Sequence, residues 1–311
     1  MLKKILIPVD ESLHAKNALL YAASFNQNNS LQLTLLNVQP VVSDHFMLET
    51  NGDLIFAAEV DRIKAWNASN SNLVLQAHKK TLLNEGIKEK HINTVSQARA
   101  LGLAKDIIDY GHKHQFNAVA IGRRGISRIQ KVFMGSTSAK LVEHANMLPV
   151  WIVDGAVRPG RFLVAVNLNS TAIIEYIAQM CQGMADIHLT FFYVLERFRL
   201  SNISPDTTAA TKLDMIIERH EMDRIDSWWA YAINHLKRVG FNEKQLEMKT
   251  PRRTEKTGKM ILEEIGNHAY DTILMERTGI GMAFYLGSVS RYVCERLTDH
   301  AIWLIGGSHT S

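Results

Sequence analysis

Apolar and polar positions along the chain fall into short buried runs separated by longer amphipathic stretches. Ile5 to Val9, Leu31 to Val38, Phe116 to Ile121 and Leu148 to Val153 are four such apolar runs in the first half. Each is too short for a helix and too continuous for a half-exposed strand, which predicts strands covered on both faces. Between them, Ser12 heads a stretch to about Phe25 with Ala15, Leu19, Ala22 and Ala23 on one face, a capped helix. A second helix is expected from about Leu73 to Asn84, stopping before Gly86, and a third over Leu101 to His114 with Leu103, Ile107 and Ile108 inward. Ile92 to Val95 reads as a short edge strand. The segment from Val41 to about Ile63 has no clear period, and the turn signal Asn51-Gly52-Asp53 marks it as an insertion or lid. Pro8 cannot donate to a ladder, so pairing is expected to end there, just before Asp10 leaves the sheet.

The alternation then begins again. After a linker, Gly155 to Arg161, the runs Phe162 to Val166, Ile187 to Val194, Thr272 to Met275 and Ala301 to Ile305 repeat strands one, two, four and five. A charged amphipathic helix is predicted from about Thr211 to Val239. Gly135, Ser136, Ser138, Glu143 and Trp151 match Gly287, Ser288, Ser290, Glu295 and Trp303 at one constant offset of 152 residues. A register of that kind marks a duplicated domain. The prediction is an α/β protein of two doubly wound domains, 1–155 and 161–311, each a five-stranded parallel sheet of order 3-2-1-4-5 flanked by helices.

Composition changes this picture little. A net charge of +4 over 311 residues, without basic patches interleaved with aromatics, does not call for nucleic acid. No apolar run is long enough to span a membrane, and the start of the chain is no signal-peptide core, so a cytoplasmic location is expected. Cys181 and Cys294 lie far apart in apolar contexts and read as buried thiols. Trp228, Trp229 and Tyr231 form a cluster that reads as core, a seam between domains or a partner surface. His112 and His114 have no acidic or cysteine neighbour to make a metal site.

Candidate chemistry concentrates at Gly122 to Ser138, GRRGISRIQKVFMGSTS, between the fourth strand and a helix expected from Ser136 to about Ala145. Gly122 and Gly125 permit a tight turn and close backbone approach to a ligand. Gly135 and Ser136 place N–H groups and a hydroxyl at the positive end of a helix. Arg123, Arg124, Arg128 and Lys131 add charge that no acid in the segment offsets. In a sheet of order 3-2-1-4-5 the reversal falls between strands one and four, so Asp10 and Gly122, far apart in sequence, are expected to meet in one crevice. The sequence offers no nucleophile beside a base and no carboxylate pair near the loop, which argues against efficient catalysis.

The spacing G-x2-G-x9-G-S is neither the P-loop nor the dinucleotide fingerprint. It resembles the nucleotide loop of the universal stress protein family, and each half of the chain looks like one domain of the tandem kind. That resemblance implies an adenine nucleotide, ATP or AMP, with or without Mg²⁺, bound in the first domain by a regulatory stress-response protein. It implies Asp10 near the ribose, the backbone at Val38 on the adenine edge, and Gly122, Gly125, Gly135, Ser136 and Thr137 on the phosphates, beside Arg123 and Arg124. It also implies pairing of the last strands, here within one chain, with further association into a homodimer left open. The second half departs from the pattern: Glu276 replaces the first glycine, Asn167 replaces the aspartate, and seven residues separate Gly279 from Gly287. Weak or no nucleotide binding is expected there, although Gly279, Gly287 and Ser288 are retained. The rival readings are an adenylate-forming or ATP-cleaving enzyme, whose S-G-G-x-D-S or H-I-G-H segments this chain lacks, and a structural module without ligand.

Overall fold

In the computed structural model the described residues are 2–26, 30–40, 54–123, 137–138, 140–141, 148–195, 207–280, 283–285 and 287–306. The chain divides into two compact units, Met1–Val157 and Arg158–Ser311.

In the first unit the order is β1 (Lys3–Pro8), α1 (Leu13–Ala23), β2 (Leu31–Gln39), α2 (Leu54–Asn84), β3 (Ile92–Ala98), α3 (Leu103–Lys113), β4 (Ala118–Gly122) and β5 (Val150–Val153). All strand pairs are parallel, in the order β3-β2-β1-β4-β5. Ile5, Leu6 and Ile7 are all fully buried, as expected of a strand covered on both faces. Pro8 pairs with Leu36 of β2, whereas β4 pairs only with Ile5 and Leu6 of β1, so the residue without an N–H stands past the end of the β4 ladder. Trp151 on β5 is buried against Phe25 and, edge-on, against Tyr21, with ring centroids 5.1 and 6.0 Å away.

One helix begins earlier than its sequence suggests. Instead of starting near Leu73, α2 runs from Leu54, through the end of the stretch expected to be irregular; residues 41–53 of that stretch lie outside the described residues. Ile63, Trp66 and Leu73 of this helix are 46%, 66% and 68% exposed, while Asn67 and Ser71 are buried. Apolar side chains facing water and polar ones facing inward erase the period by which an amphipathic helix is recognised.

The second unit runs β6 (Arg161–Ala165), α4 (Ala172–Met180), β7 (His188–Phe192), α5 (Thr207–Arg238), β8 (Leu246–Lys249), α6 (Thr257–Asn267), β9 (Thr272–Ile280), β10 (Ala283–Tyr285), α7 (Ser288–Arg296) and β11 (Ala301–Gly306). Its parallel sheet has the order β8-β7-β6-β9-β11, the same as in the first unit. Trp303 repeats the role of Trp151, packing edge-on to Phe162 and Tyr176 with centroids 5.4 and 5.7 Å apart. Trp228 is core: its indole N–H donates to the Ser170 carbonyl at 3.0 Å, and Phe191 packs on both Trp228 and Trp229. Cys181 and Cys294 are buried.

Here too the structure corrects an expectation. β9 does not stop at Met275 but continues to Ile280 and folds back on β10, pairing Thr278, Gly279 and Ile280 with Tyr285, Phe284 and Ala283. Gly279 therefore lies in an antiparallel ladder. A loop two residues shorter than its counterpart is taken up by a hairpin.

Candidate functional site

In the first unit the carboxyl ends of β1 and β4, the point where strand order reverses, open on a cavity of about 160 Å³. Asp10, Val38, Gly122 and Thr137 all line it, together with His14, Asn37 and Ser138, and Leu36, Ile107, Ile121 and Leu141 give it apolar walls. Four of the nine positions singled out in the sequence are thus brought together. Arg124, Gly125, Gly135 and Ser136 lie outside the described residues.

The turn after β1 is held from three sides. Asn37 Nδ2 donates to the Val9 carbonyl at 2.7 Å, and His78 Nε2 lies 2.8 Å from the Asp10 carbonyl, so that nitrogen carries the proton. Asp10 Oδ1 accepts the Ser12 N–H at 3.0 Å, while Ser12 caps α1 by accepting from the Ala15 N–H at 3.1 Å. The backbone under the Asp10 carboxylate is fixed, and its second oxygen has no hydrogen bond among the described residues. His14 Nδ1, in the first turn of α1, is buried with no partner among the described residues and belongs to the cavity wall. A ligand with a hydrogen-bonding edge would satisfy it.

Gly122 has a reason other than the one its loop suggests. A Cβ there would lie 2.5 Å from the His14 carbonyl oxygen and 2.6 Å from its carbon. The missing side chain lets β4 end against α1, whatever it also does for a ligand. Ser138 Oγ donates to the Gly122 carbonyl at 2.9 Å, tying the helical residues around it to the strand end. The counterpart in the second unit, Ser290 Oγ to the Glu276 carbonyl, is 3.2 Å. Ser138 was visible in the repeat register, but no local pattern pointed to its hydroxyl. His14 and Asn37 had no sequence signal at all.

Arg123 is placed differently from its neighbours in the motif. Its N–H still donates to the Val153 carbonyl at 2.9 Å, so the chain has not yet left the sheet. Its side chain is 1% exposed and its guanidinium lies 3.5 Å from the Asp154 carboxylate, outside the cavity wall. Counting loop charges treated it as unopposed, whereas its counter-charge comes from the end of β5.

The equivalent place in the second unit carries a contact between two side chains. Asn167 Nδ2 donates to Glu276 Oε2 at 3.2 Å, joining the turn after β6 to β9 just beyond the last pair between the two strands. Glu276 is 9% exposed, and burial raises the affinity of its carboxyl for a proton against the opposing hydrogen bonds from Ser170, Asn167 and the Ile173 N–H. Arg277, in the place of Arg123, is buried and its pKa falls to about 10 through loss of solvent. Among the described residues no group of three or more His, Cys, Asp or Glu side chains could hold a metal ion, and no helix is long and apolar enough to cross a membrane.

A protein-family model, the universal stress protein family, matches residues 1–154. Comparison with curated proteins gives no match. Among solved structures, the chain resembles a universal stress protein from Archaeoglobus fulgidus DSM 4304, at 19% identity and a TM-score of 0.62, over 97% of this chain and 98% of that one. It also resembles a protein of Pseudomonas aeruginosa UCBPP-PA14, at 16% identity and a TM-score of 0.64, over 98% and 94%. At such identities these structures show a shared fold. Through its N-terminal unit the chain belongs to the universal stress protein family, and its C-terminal unit repeats the same sheet order.

Proposed function

We propose that the chain is a stress-response regulatory protein that binds an adenine nucleotide, ATP or AMP, in the crevice of its N-terminal unit. The observation that carries this reading is the convergence of Asp10, Val38, Gly122 and Thr137, spread over most of the unit's sequence, on one cavity at the strand reversal. Its apolar walls suit the faces of a purine, and the main chain at Val38 supplies a polar edge. The Asp10 carboxylate is positioned to accept ribose hydroxyls, or to take a Mg²⁺ that accompanies the phosphates. Thr137 and Ser138, helical residues after the loop, add hydroxyls to the same cavity wall. The titratable groups among its described lining residues are Asp10 and His14, both suited to hydrogen-bond a nucleoside.

The C-terminal crevice does not share this role. A buried carboxyl held by Asn167 occupies the strand ends where phosphate would approach, and repels it whenever ionised.

Calorimetric titration of the full chain with ATP, AMP and GTP, alongside mass spectrometry of ligand released from natively purified protein, tests the proposal. Saturation at one adenine nucleotide per chain is expected, with affinity lost in Asp10→Asn, which keeps the acceptor for the Ser12 N–H. Two nucleotides per chain, or equal binding by the Asp10→Asn protein, would overturn it.

A further inference from the structure

The cavity at the β1 and β4 ends, as its described residues bound it, encloses the base of a nucleotide more readily than its phosphates. At about 160 Å³ it falls below the roughly 300 to 1,000 Å³ of most small-molecule sites. Among the described lining residues it also contains no lysine or arginine, the groups that neutralise phosphate. A second cavity of about 770 Å³ adjoins it, with Leu103 and Thr137 belonging to both walls. The larger cavity is lined by Arg99 at the end of β3, by Lys105, Asp109 and His112 along α3, and by Lys140 in the helical segment after the loop.

Charge in this second cavity is unbalanced. Three permanent cations and a histidine face one carboxylate. Neither Lys105 nor Lys140 makes an ion pair among the described residues, and Asp109, one helical turn from Lys105, does not take it. Arg99 has its backbone N–H bound to the Gln39 carbonyl at 3.2 Å, while its Nε is buried without a partner among the described residues. A guanidinium nitrogen withdrawn from water and left without an acceptor is relieved by an anion. Just ahead of α3, Asp106, itself buried, accepts the N–H groups of Ala100 and Leu101 at 2.9 Å each and so fixes the chain that leads from Arg99 into the helix.

We propose that one ligand spans both cavities, with its base in the smaller and its phosphates passing Thr137 into the larger, where Lys105, Lys140 and Arg99 bind them. The inference rests on the nucleotide reading above and adds to it a phosphate compartment made by β3, α3 and the helix after the loop. It replaces Arg123, which is turned to Asp154, as the source of positive charge. A ligand with a longer phosphate chain then binds more tightly because it reaches more cations, and the protein ranks ATP above AMP and AMP above adenosine.

The test is titration of the full-length wild-type protein and of a Lys105→Ala/Lys140→Ala double variant with ATP and with adenosine, both lysines being exposed positions where truncation spares the fold. Wild type is expected to bind ATP at least about tenfold more tightly than adenosine, and the double variant to lose that preference while binding adenosine as before. Raising salt should weaken ATP binding by the wild type and leave adenosine binding unmoved. An unchanged ATP-to-adenosine ratio in the variant, or equal affinity for the two ligands in wild type, would overturn the phosphate compartment while leaving the nucleotide crevice standing. Failure of wild type to bind either ligand would instead remove the crevice reading, and the compartment with it.

Discussion

Asn167 and Glu276 meet at 3.2 Å just beyond the last pair between β6 and β9, and this hydrogen bond marks a difference between the two units at their strand reversals. In the first unit the same strand ends carry Asp10 and Gly122 around an open cavity. At the matching positions the second unit has a glutamate for the glycine and an asparagine for the aspartate, and the two side chains bond to each other.

The Glu276 contact has a pH signature. Burial raises this carboxyl above its ordinary value of 4.5, so the folded state keeps the proton to a higher pH than the unfolded state does. Unfolding then releases a proton, and the contribution to stability falls as pH rises from about 4.5 through the folded value. Glu276→Gln should therefore be more stable than wild type near neutrality and converge with it below that window. Asp271, also raised by burial, adds a slope of the same sign but is common to both proteins and cancels in the difference. Urea unfolding midpoints across pH measure this, and a difference that grows toward acid would refute it.

Gly122→Ala places a methyl group 2.5 Å from the His14 carbonyl oxygen. Neither partner is a flexible side-chain end, so β4 and α1 must separate. A loss of about 1–3 kcal/mol in unfolding free energy is expected, with nucleotide affinity falling as the crevice deforms. Full stability in the alanine protein would show that the junction is looser than drawn.

Removing the negative partner of Arg123 should be costly. Asp154→Asn leaves a guanidinium that is 1% exposed without its carboxylate, and a loss of about 3 kcal/mol is expected. Nucleotide affinity of the folded protein should be unaffected by this change and by Arg123→Met. A marked loss of ATP affinity in Arg123→Met, measured where the protein is fully folded, would return that arginine to the phosphates.

Ser138→Ala and Ser290→Ala remove matching hydrogen bonds to the carbonyls of Gly122 in β4 and Glu276 in β9, of 2.9 and 3.2 Å. Each should cost about 1 kcal/mol in chemical denaturation. Only the first should also weaken ATP binding, because only there does the anchored helix border the proposed site. Equal effects of the two changes on titration with ATP would contradict the asymmetry between units.

The amino-acid sequence determined the architecture by itself. Buried runs such as Ile5 to Val9 and Phe162 to Val166 can only be strands covered on both faces, and the fixed register linking Trp151 to Trp303 required two copies of one unit. It also put Asp10 and Gly122 at one crevice, because topology alone decides where a doubly wound sheet reverses. What it left open depends on distance through space. The start of α2 was hidden because Trp66 and Leu73 face water, and the β9–β10 hairpin because Gly279 reads equally as loop or ladder. Arg123 looked like a free loop charge until β5 brought Asp154 beside it, and Glu276 and Asn167 were two separate departures until the sheet joined them. Local pattern records whether a residue is buried; which partner meets it there is decided by chain segments dozens of residues away, and only the folded arrangement fixes that.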